Sequence, residues 1–473
     1  MSNPASIQSA IAAHRFGLGE ASLEVLQDDP QGWLLAQIGP ADAPRGEGLL
    51  STAQALDRVA AERVMRQAAR APQTGASANS MAEPPPANPY REIILADLRS
   101  RLLTAAATRR PFAERLQLFW CNHFTVSLAK GSARGLVGAF ERDAIRPHIA
   151  GSFDTLLLAA TTHPAMLRYL DNVLSAGPRS RIVARAAQRA AGTGEGPRVT
   201  GLNENLAREV LELHTLGAES GRGQATPGSG YTQADVTAFA RVLTGWRVAP
   251  GPGQSAAVFD PAWHEPGRKT VLGKDYAEGG DGLRLVLCDL AQHPATAHFI
   301  ALKLARHFVA DDPPAALVDR LASAYLRNQG QLAAVYRELV RSPEAWNPNP
   351  AKLKTPEELV LSTARVLGLD ERQFERSGGA GVQALGQRLH AAPSPAGWSD
   401  RAEDWLGPDA VWKRVEWASR VADRAGRGID ARALAAYSLG GLLNPATARQ
   451  IERAADGSQA LALMLLAPEF QRR

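Results

Sequence analysis

The stretch NENLAREVLELHTLG, residues 203–217, is the most informative part of this chain for its fold class. Its apolar residues recur every three to four positions, which is the period of an α-helix with one buried side. Asn203 is a favourable N-cap, and Gly217 is a favourable residue just beyond a helix end. We therefore predict one amphipathic helix between these two residues.

The same helical period runs through most of the 473 residues, and the alternation typical of strands is scarce. The one extended element that we predict lies within 259–276, where 269–273 has the composition of a short strand between turns. The sequence thus predicts an all-α protein, a multi-helix globular module with long irregular loops and at most a small β-hairpin.

Two segments interrupt the helical pattern. Residues 70–90 are rich in Ala, Pro, Ser and Asn, and residues 175–201 are rich in Gly, Arg and Ala. Such compositions are typical of surface loops. We predict a single helical module spanning 1–473, with 70–90 and 175–201 as mobile loop insertions.

Proline marks the expected helix starts. Pro164, Pro294, Pro343 and Pro356 each stand at a predicted first helical position, where the missing N–H costs nothing. His163 and His293 precede two of these prolines, so their position is explained without any chemistry. Residues 232–235 resemble a capping box.

The composition fits a globular protein, with 45% hydrophobic and 21% charged residues. The 53 basic and 48 acidic residues leave a net charge of only +5, without a basic block or an aromatic-basic stripe. We therefore expect no nucleic-acid binding. The two cysteines, Cys121 and Cys288, form no C-x-x-C pair and are predicted to be free thiols.

The beginning of the chain lacks the basic and apolar regions of a signal peptide, and we find no apolar run long enough for a membrane span. We predict a cytoplasmic protein for the chain as given. Export is the alternative if an upstream leader has been removed.

Charged side chains collect on one side of the helix 203–217. Glu204, Arg208, Glu209 and Glu212 share one arc, whereas His214 falls on the opposite, apolar arc and is predicted to be a core residue. The arc is interpreted either as a solvated face with surface ion pairs or as the wall of a cleft. In a cleft, these carboxylates would bind a divalent cation or transfer protons.

A histidine lies on the apolar face of a second predicted helix, residues 112–124. His123 is expected to point inward, either as a hydrogen-bonded core residue or as a ligand or general base at the floor of a cleft. Asn122 lies beside the polar side of that helix. The loop with His264 and Lys269 is either an ordinary polar loop or a further contributor to a site.

Two hypotheses follow for function. The first is an enzyme or ligand-binding protein, hydrolytic or metal-assisted, in which a divalent metal would suit the ligand set. Its cleft would combine Asn122, His123, Asn203, Glu204, Arg208, Glu209, Glu212, His264 and Lys269. The second is a non-enzymatic scaffold or partner protein, in which the polar arc is an interaction surface.

Nine motifs along the chain together resemble one bacterial family. They are HRFGLG (14–19), FWCNHF (119–124), YLDN (169–172), LNENLAREVLELHTLG (202–217), YTQADV (231–236), LTGW (243–246), HEPGRKTVLG (264–273), HPATA (293–297) and PSPAGW (393–398). The chain is similar in these motifs to the family catalogued as domain of unknown function 1800.

The resemblance implies a mainly helical bacterial protein without an established activity, so no catalytic residue is transferred from the family. Many members of the family are exported, which this chain's beginning does not indicate. Where the family usually has His-Asp-x-Gly, this chain has His264-Glu265-Pro266-Gly267. The carboxylate is kept, but on a side chain of different length. Members often lie beside a second family that resembles sulfatases and alkaline phosphatases, which suggests a partner from that family.

Overall fold

A computed structural model describes residues 4–26, 28–70, 89–193, 201–218, 230–248 and 257–473. Helices dominate these ranges, so the all-α prediction is confirmed. The described α-helices are α1 (Pro4–Ile11), α2 (Pro30–Leu35), α3 (Thr52–Arg70), α4 (Pro89–Ala107), α5 (Pro111–His123), α6 (Val137–Phe140), α7 (Phe153–Thr162), α8 (Pro164–Tyr169), α9 (Arg181–Thr193), α10 (Asn205–Glu209), α11 (Gln233–Leu243), α12 (Asp281–Ala291), α13 (Pro294–Phe308), α14 (Ala315–Arg327), α15 (Leu332–Arg341), α16 (Pro356–Val366), α17 (Glu371–Ala384), α18 (Pro408–Ala425), α19 (Ala431–Leu439), α20 (Pro445–Glu452), α21 (Gly457–Leu466) and α22 (Pro468–Gln471).

Shorter helical segments join these elements. Three are π-helical: Ala12–Phe16, Glu141–Ile145 and Val210–Thr215. The 3-10 segments are Leu23–Leu26, Gly131–Ala133, Arg146–His148, Asn172–Leu174, Pro343–Trp346, Ala402–Trp405, Gly426–Gly428 and Gly440–Leu442. The predicted proline starts are confirmed, because α8, α13, α16 and one 3-10 segment each begin at the expected proline.

Two small antiparallel strand pairs complete the described structure. β1 (Trp246–Val248) pairs with β2 (Ala257–Phe259), and β3 (Lys269–Val271) pairs with β4 (Lys274–Tyr276). The second pair confirms the predicted short strand. The first pair, in which eight residues separate the two strands, was not predicted.

The predicted loop insertion 175–201 is partly wrong, because α9 occupies Arg181–Thr193. Alanine and arginine are strong helix formers, and the glycines of this segment are confined to its two ends. Residues 194–200 and residues 71–88 of the other predicted insertion lie outside the described residues. The prediction of a single module for 1–473 stays a prediction.

Buried hydrophobic residues form two clusters. The larger cluster draws on residues 11–345, and the smaller one combines Leu18 and residues 102–105 with residues 359–470. Helix α5 lies where they meet, since Phe119 and Trp120 belong to the larger cluster while Leu118 packs on the smaller one. Across the described ranges, no helix has both the length and the apolar character needed to span a bilayer.

Candidate functional site

A polar cavity opens at the junction of the two hydrophobic clusters. It has about 80 Å³ of space that water can occupy, which is enough for several waters or a small ligand. Its walls come from α4, α5, the end of α13, the start of α16 and the loop 387–400. The ionisable residues that line it are Arg101, Arg115, Cys121, Glu141, His307, Glu357, Glu358, His390 and Asp400.

Arg101 connects two of the cavity's carboxylates. Its guanidinium contacts Glu141 at 2.5 Å and binds Glu357 through two hydrogen bonds of 2.6 and 3.0 Å. Burial opposes ionisation of Glu141, but the neighbouring Arg101 and His390 lower its pKa to about 2. Glu141 is therefore ionised at neutral pH, and Arg101 holds it in place.

A second ionic group lies deeper in the protein. Glu358 binds Arg115 and lies 2.8 Å from an Arg473 nitrogen, and all three side chains are less than 10% exposed. The two arginines outweigh the burial of Glu358 and lower the pKa of its carboxyl group. Arg115 also donates a hydrogen bond to the Gly17 carbonyl at 2.7 Å, which attaches the motif 14–19 to the cavity wall.

His307 and Asp400 form a pair at the cavity. The His307 Nδ1 lies 3.1 Å from the Asp400 Oδ1, so Nδ1 carries the ring proton and Nε2 is the basic nitrogen. Burial lowers the pKa of His307, and Asp400 only partly restores it. Burial would raise the pKa of Asp400, but His307 and Lys352 lower it to about 2. At neutral pH the pair is thus a neutral imidazole held by a carboxylate.

His390 adopts a left-handed backbone conformation, with φ of 54°. This conformation is uncommon for residues other than glycine and occurs most often in turns or at functional positions. It places the imidazole inside the cavity wall. There Nε2 lies at the ion-pair distance of 3.1 Å from Glu141 Oε2, but the angles of this contact do not fit a hydrogen bond.

Three buried nitrogens of the cavity wall lack a hydrogen-bond partner among the described residues. They are His307 Nε2, His390 Nε2 and Trp398 Nε1. Buried polar atoms in folded proteins are nearly always hydrogen-bonded, to protein or to ordered water. Buried nitrogens of this kind around one cavity are positions that an ordered water or a polar ligand would satisfy.

Asn122 is the predicted site residue that lines this cavity. Its side-chain amide donates to the Trp398 carbonyl and its carbonyl oxygen accepts from the Trp398 N–H, each at 2.8 Å. Two motifs far apart in sequence, 119–124 and 393–398, are thereby joined. Asn122 fixes the segment that carries Trp398 and Asp400 into the cavity.

We expect Gly397→Ala to disturb this junction strongly. Gly397 has φ of +85°, and a Cβ there would lie 2.5 Å from the Asn122 carbonyl oxygen. Strain and overpacking together predict a loss of about 2–4 kcal/mol in the free energy of unfolding, measured in urea. Gly386→Ala is the matched control, because φ is +96° but nothing lies within 4 Å, and it should lose only about 1–2 kcal/mol. If Gly397→Ala and Gly386→Ala lost the same free energy of unfolding, the predicted effect of the close contact at Gly397 would be wrong.

His123 is a buried residue of the larger cluster's aromatic core. Its ring packs among Phe119, Trp120, Phe124 and Phe153. Burial and the nearby Lys303 hold its pKa well below the usual value. His123 Nε2 lies 3.1 Å from the His214 carbonyl oxygen, so His123 does meet the segment 203–217, but on its apolar side.

The segment 203–217 differs from the predicted single α-helix. Helix α10 begins at Asn205 with Glu204 at the cap position, although the Asn203 side chain still accepts a hydrogen bond from the Asn205 N–H at 2.9 Å. From Val210 to Thr215 the chain is π-helical, and the Leu216 N–H binds the Leu211 carbonyl. This wider turn rotates the later residues relative to an ideal α-helix. His214 is buried, as predicted.

The charged arc of this segment is partly exposed. The Glu204 carboxylate accepts hydrogen bonds from Thr237 at 2.6 Å and Gln233 at 2.7 Å, and it contacts Arg208 at 3.3 Å. The hydrogen bond from Thr237 is the main reason that the pKa of Glu204 is lowered. Glu204 and Arg208 therefore form a polar network with α11 at the surface.

Glu209 and Glu212 form a separate part of the same arc. Burial, followed by the charge of Glu212, raises the pKa of Glu209. Tyr231 lies beside them, and its pKa is raised to about 12 by burial and by the carboxylate of Glu212. The arc is thus neither fully solvated nor part of the wall of the polar cavity.

His264 and Lys269 contact each other within their own loop. The Lys269 Nζ donates to the His264 Nε2 at 2.8 Å, and the His264 Nδ1 donates to the Thr244 carbonyl at 2.7 Å. Burial lowers the pKa of both side chains. Glu265, where the family usually has Asp, binds the Arg179 guanidinium at 2.7 Å and the Arg179 N–H at 2.9 Å. The hydrogen bonds in this loop join α11, the segment before α9 and the strand pair.

The predicted site residues therefore lie in separate groups. Glu204 is joined to Arg208, Glu209 lies beside Glu212, and His264 contacts Lys269, while His123 meets the backbone of the π-helix. Their role as site residues stays a prediction. In the part of the chain that the structure describes, no three His, Cys, Asp or Glu side chains are grouped as metal ligands would be.

The sequence analysis missed the ionisable residues of the cavity. Two signals were present: Asp400 follows the motif 393–398 by two residues, and His307 follows Ile300 and Leu304 at helical spacing on a buried face. A charged or titratable residue on an apolar helix face, such as Arg115 in α5, needs a buried partner. The identity of that partner is not encoded locally.

Comparisons with curated proteins and with solved structures found no match. A family profile described as "Protein of unknown function (DUF1800)" matches residues 11–472. The chain therefore belongs to the DUF1800 family.

Proposed function

We propose that the polar cavity binds a small polar substrate and that His307 is the general base of a hydrolytic reaction there. The observation that carries this proposal is that the buried His307 Nε2 and Trp398 Nε1 lack a hydrogen-bond partner around one cavity, where His390 Nε2 has only an ion-pair contact with Glu141. Such atoms are donors and acceptors that a polar ligand or an attacking water would satisfy.

The His307–Asp400 pair suits proton transfer. A carboxylate at Nδ1 fixes the tautomer and stabilises the imidazolium that forms when Nε2 accepts a proton. Because burial lowers the pKa of His307, the ring is neutral at pH 7 and available as a base. The role of Asp400 is that of a positioning residue.

The cavity's cysteine does not suit nucleophilic chemistry. Burial and the charge of Glu141 raise the pKa of Cys121 well above its usual value, so the thiol stays protonated. Water activated by His307 is then the better nucleophile. This favours general-base hydrolysis over a covalent thioester intermediate.

Hydrolysis of small chromogenic substrates tests the proposal. We would measure the hydrolysis rates of 4-nitrophenyl acetate, 4-nitrophenyl phosphate and a 4-nitrophenyl glycoside. The proteins compared are wild type, His307→Gln and the exposed control His298→Gln. General-base catalysis contributes about 10²–10⁴-fold, so at least one substrate should lose about 100-fold or more of its rate with His307→Gln and none with His298→Gln. If His307→Gln keeps the wild-type rate on every substrate, the proposal is wrong.

Other expectations also stay proposals. The alternative function is a non-enzymatic scaffold that binds a partner, for which the partly exposed arc of Glu204, Arg208, Glu209 and Glu212 would be the surface. A sulfatase-like partner, the lack of nucleic-acid binding and a cytoplasmic location belong to the same group of expectations. They rest on the family resemblance, the charge distribution and the composition.

A further inference from the structure

An apolar groove lies next to the polar cavity, between α4 and α17. Its volume is about 740 Å³, much larger than the cavity, and its walls are mostly aliphatic. Leu95, Leu98 and Leu102 extend along the α4 side, and Leu95 is 52% exposed. Large aliphatic side chains that line an open groove are typical of a surface that binds an apolar ligand.

The charged side chains among the described lining residues of this groove are arginines. Arg134 and Arg388 are two of them, and no Asp or Glu is among its described lining residues. The Arg134 Nε donates to the Leu128 carbonyl at 3.2 Å, and both residues line the groove. The polar cavity differs, because four carboxylates line it. The groove therefore favours a ligand with a negative charge.

The groove is open on the side of α17 because the residues of this helix that face it are small. Gly379 and Ala380 face it, and a Cβ at Gly379 would touch only Leu102, at 3.8 Å. A contact of 3.8 Å is an ordinary van der Waals distance, so this position accepts a side chain. A larger side chain at Gly379 would fill part of the groove.

The groove and the cavity share part of their walls. Gln387 and Ala392 line both, and the loop between them carries His390 into the cavity. A ligand in the groove would contact the loop that positions His390. The groove thus adjoins the site described above, although its ligand chemistry is different.

We propose that this groove binds a free single-chain anionic amphiphile, with its acyl chain along the leucines of α4 and its carboxylate at Arg134 and Arg388. The aliphatic walls match the chain, and the arginines match the carboxylate through charge-assisted hydrogen bonds. This inference goes beyond the proposed hydrolytic function and does not depend on His307.

Displacement of a fluorescent fatty acid tests the proposal with the full chain. The probe is 11-(dansylamino)undecanoic acid, competed with dodecanoate, decanoate and dodecanol. We expect dodecanoate to bind about tenfold or more tightly than dodecanol, because the alcohol lacks the charge that the arginines bind. Decanoate should bind about tenfold more weakly than dodecanoate, since two methylenes are lost.

Variants locate the site. Gly379→Phe should abolish probe binding. The double variant Arg134→Gln, Arg388→Gln should lower the affinity for dodecanoate about tenfold and leave the affinity for dodecanol unchanged. Arg420→Gln, a change at an exposed arginine that pairs with Glu416, is the matched control and should bind like wild type. Folding of each variant is checked by thermal unfolding.

Several results would overturn the proposal: no binding of the probe, equal affinity for dodecanoate and dodecanol, or unchanged binding by Gly379→Phe. Binding only to anionic phospholipid vesicles would also overturn it, because the proposal is for a free amphiphile. His307→Gln should bind dodecanoate like wild type, so failure of the hydrolysis test and failure of this test are distinguishable.

Discussion

Lowering the pH from 7.5 to 4.5 is expected to unfold this protein. Burial lowers the pKa of four core histidines: His14 and His214 to about 3, His163 to about 4, and His123 well below its usual value. These rings stay neutral in the folded state. In the unfolded chain they take up protons near pH 6.5.

The direction of the effect follows from proton binding. Below about pH 6.5 the unfolded state binds more protons than the folded state, so the free energy of unfolding falls as the pH falls. Each histidine contributes about 1.4 kcal/mol per pH unit, and four contribute about 5 kcal/mol per unit. The two pH units between 6.5 and 4.5 thus remove about 10 kcal/mol, which is as large as the total stability of many domains, commonly about 5–15 kcal/mol.

The carboxylates do not cause this loss. The pKa values of Glu141 and Glu358 are lowered in the folded state, because neighbouring arginines outweigh the burial of both groups. Their contribution to stability is therefore fully present above about pH 4.3 and is lost only as the pH falls further. The destabilisation that sets in near pH 6.5 is therefore assigned to the buried histidines.

Urea unfolding at pH 7.5, 6.5 and 5.5 measures this slope. His214→Met removes one titrating group whose two ring nitrogens have no partner among the described residues, so the slope should fall by about 1.4 kcal/mol per pH unit. The exposed His298→Gln is the control and should leave the slope unchanged. A free energy of unfolding that is equal at pH 7.5 and 5.5 would refute the prediction.

Much of the fold could be predicted because its signals are local. The helical period, the prolines at helix starts and the capping box at Thr232 and Asp235 are each contained in a few consecutive residues. The inward position of His214 followed from the same period. The π-helix from Val210 to Thr215 did not, because its extra residue per turn has no composition signal.

The candidate cavity could not be predicted because its contacts are not local. Asn122 meets Trp398 across 276 positions, and Arg115 meets Glu358 across 243. A sequence shows that Arg115 lies on a helix with an apolar face, but only the fold shows which carboxylate neutralises it. The two motifs that carry Asn122 and Trp398 were recognised separately, without any indication that they touch.

Glu358→Gln is expected to be the most destabilising single change in the cavity wall. Arg115 and Arg473 are 2% and 1% exposed, and both bind the Glu358 carboxylate. Without that carboxylate, two guanidinium groups remain buried beside each other with their main neutralising charge removed. Breaking a buried ion pair from one side costs about 3–5 kcal/mol, which is a large part of the stability of an ordinary domain.

Urea unfolding at pH 7.5 measures the loss, with Glu416→Gln as the matched control. Glu416 pairs with Arg420 at the surface, where both side chains are about half exposed, so its substitution should cost less than about 1 kcal/mol. The double variant Glu358→Gln, Arg115→Met should be more stable than Glu358→Gln alone, because it removes one of the unneutralised charges. If Glu358→Gln unfolds at the same urea concentration as Glu416→Gln, the carboxylate does not hold this ionic group together.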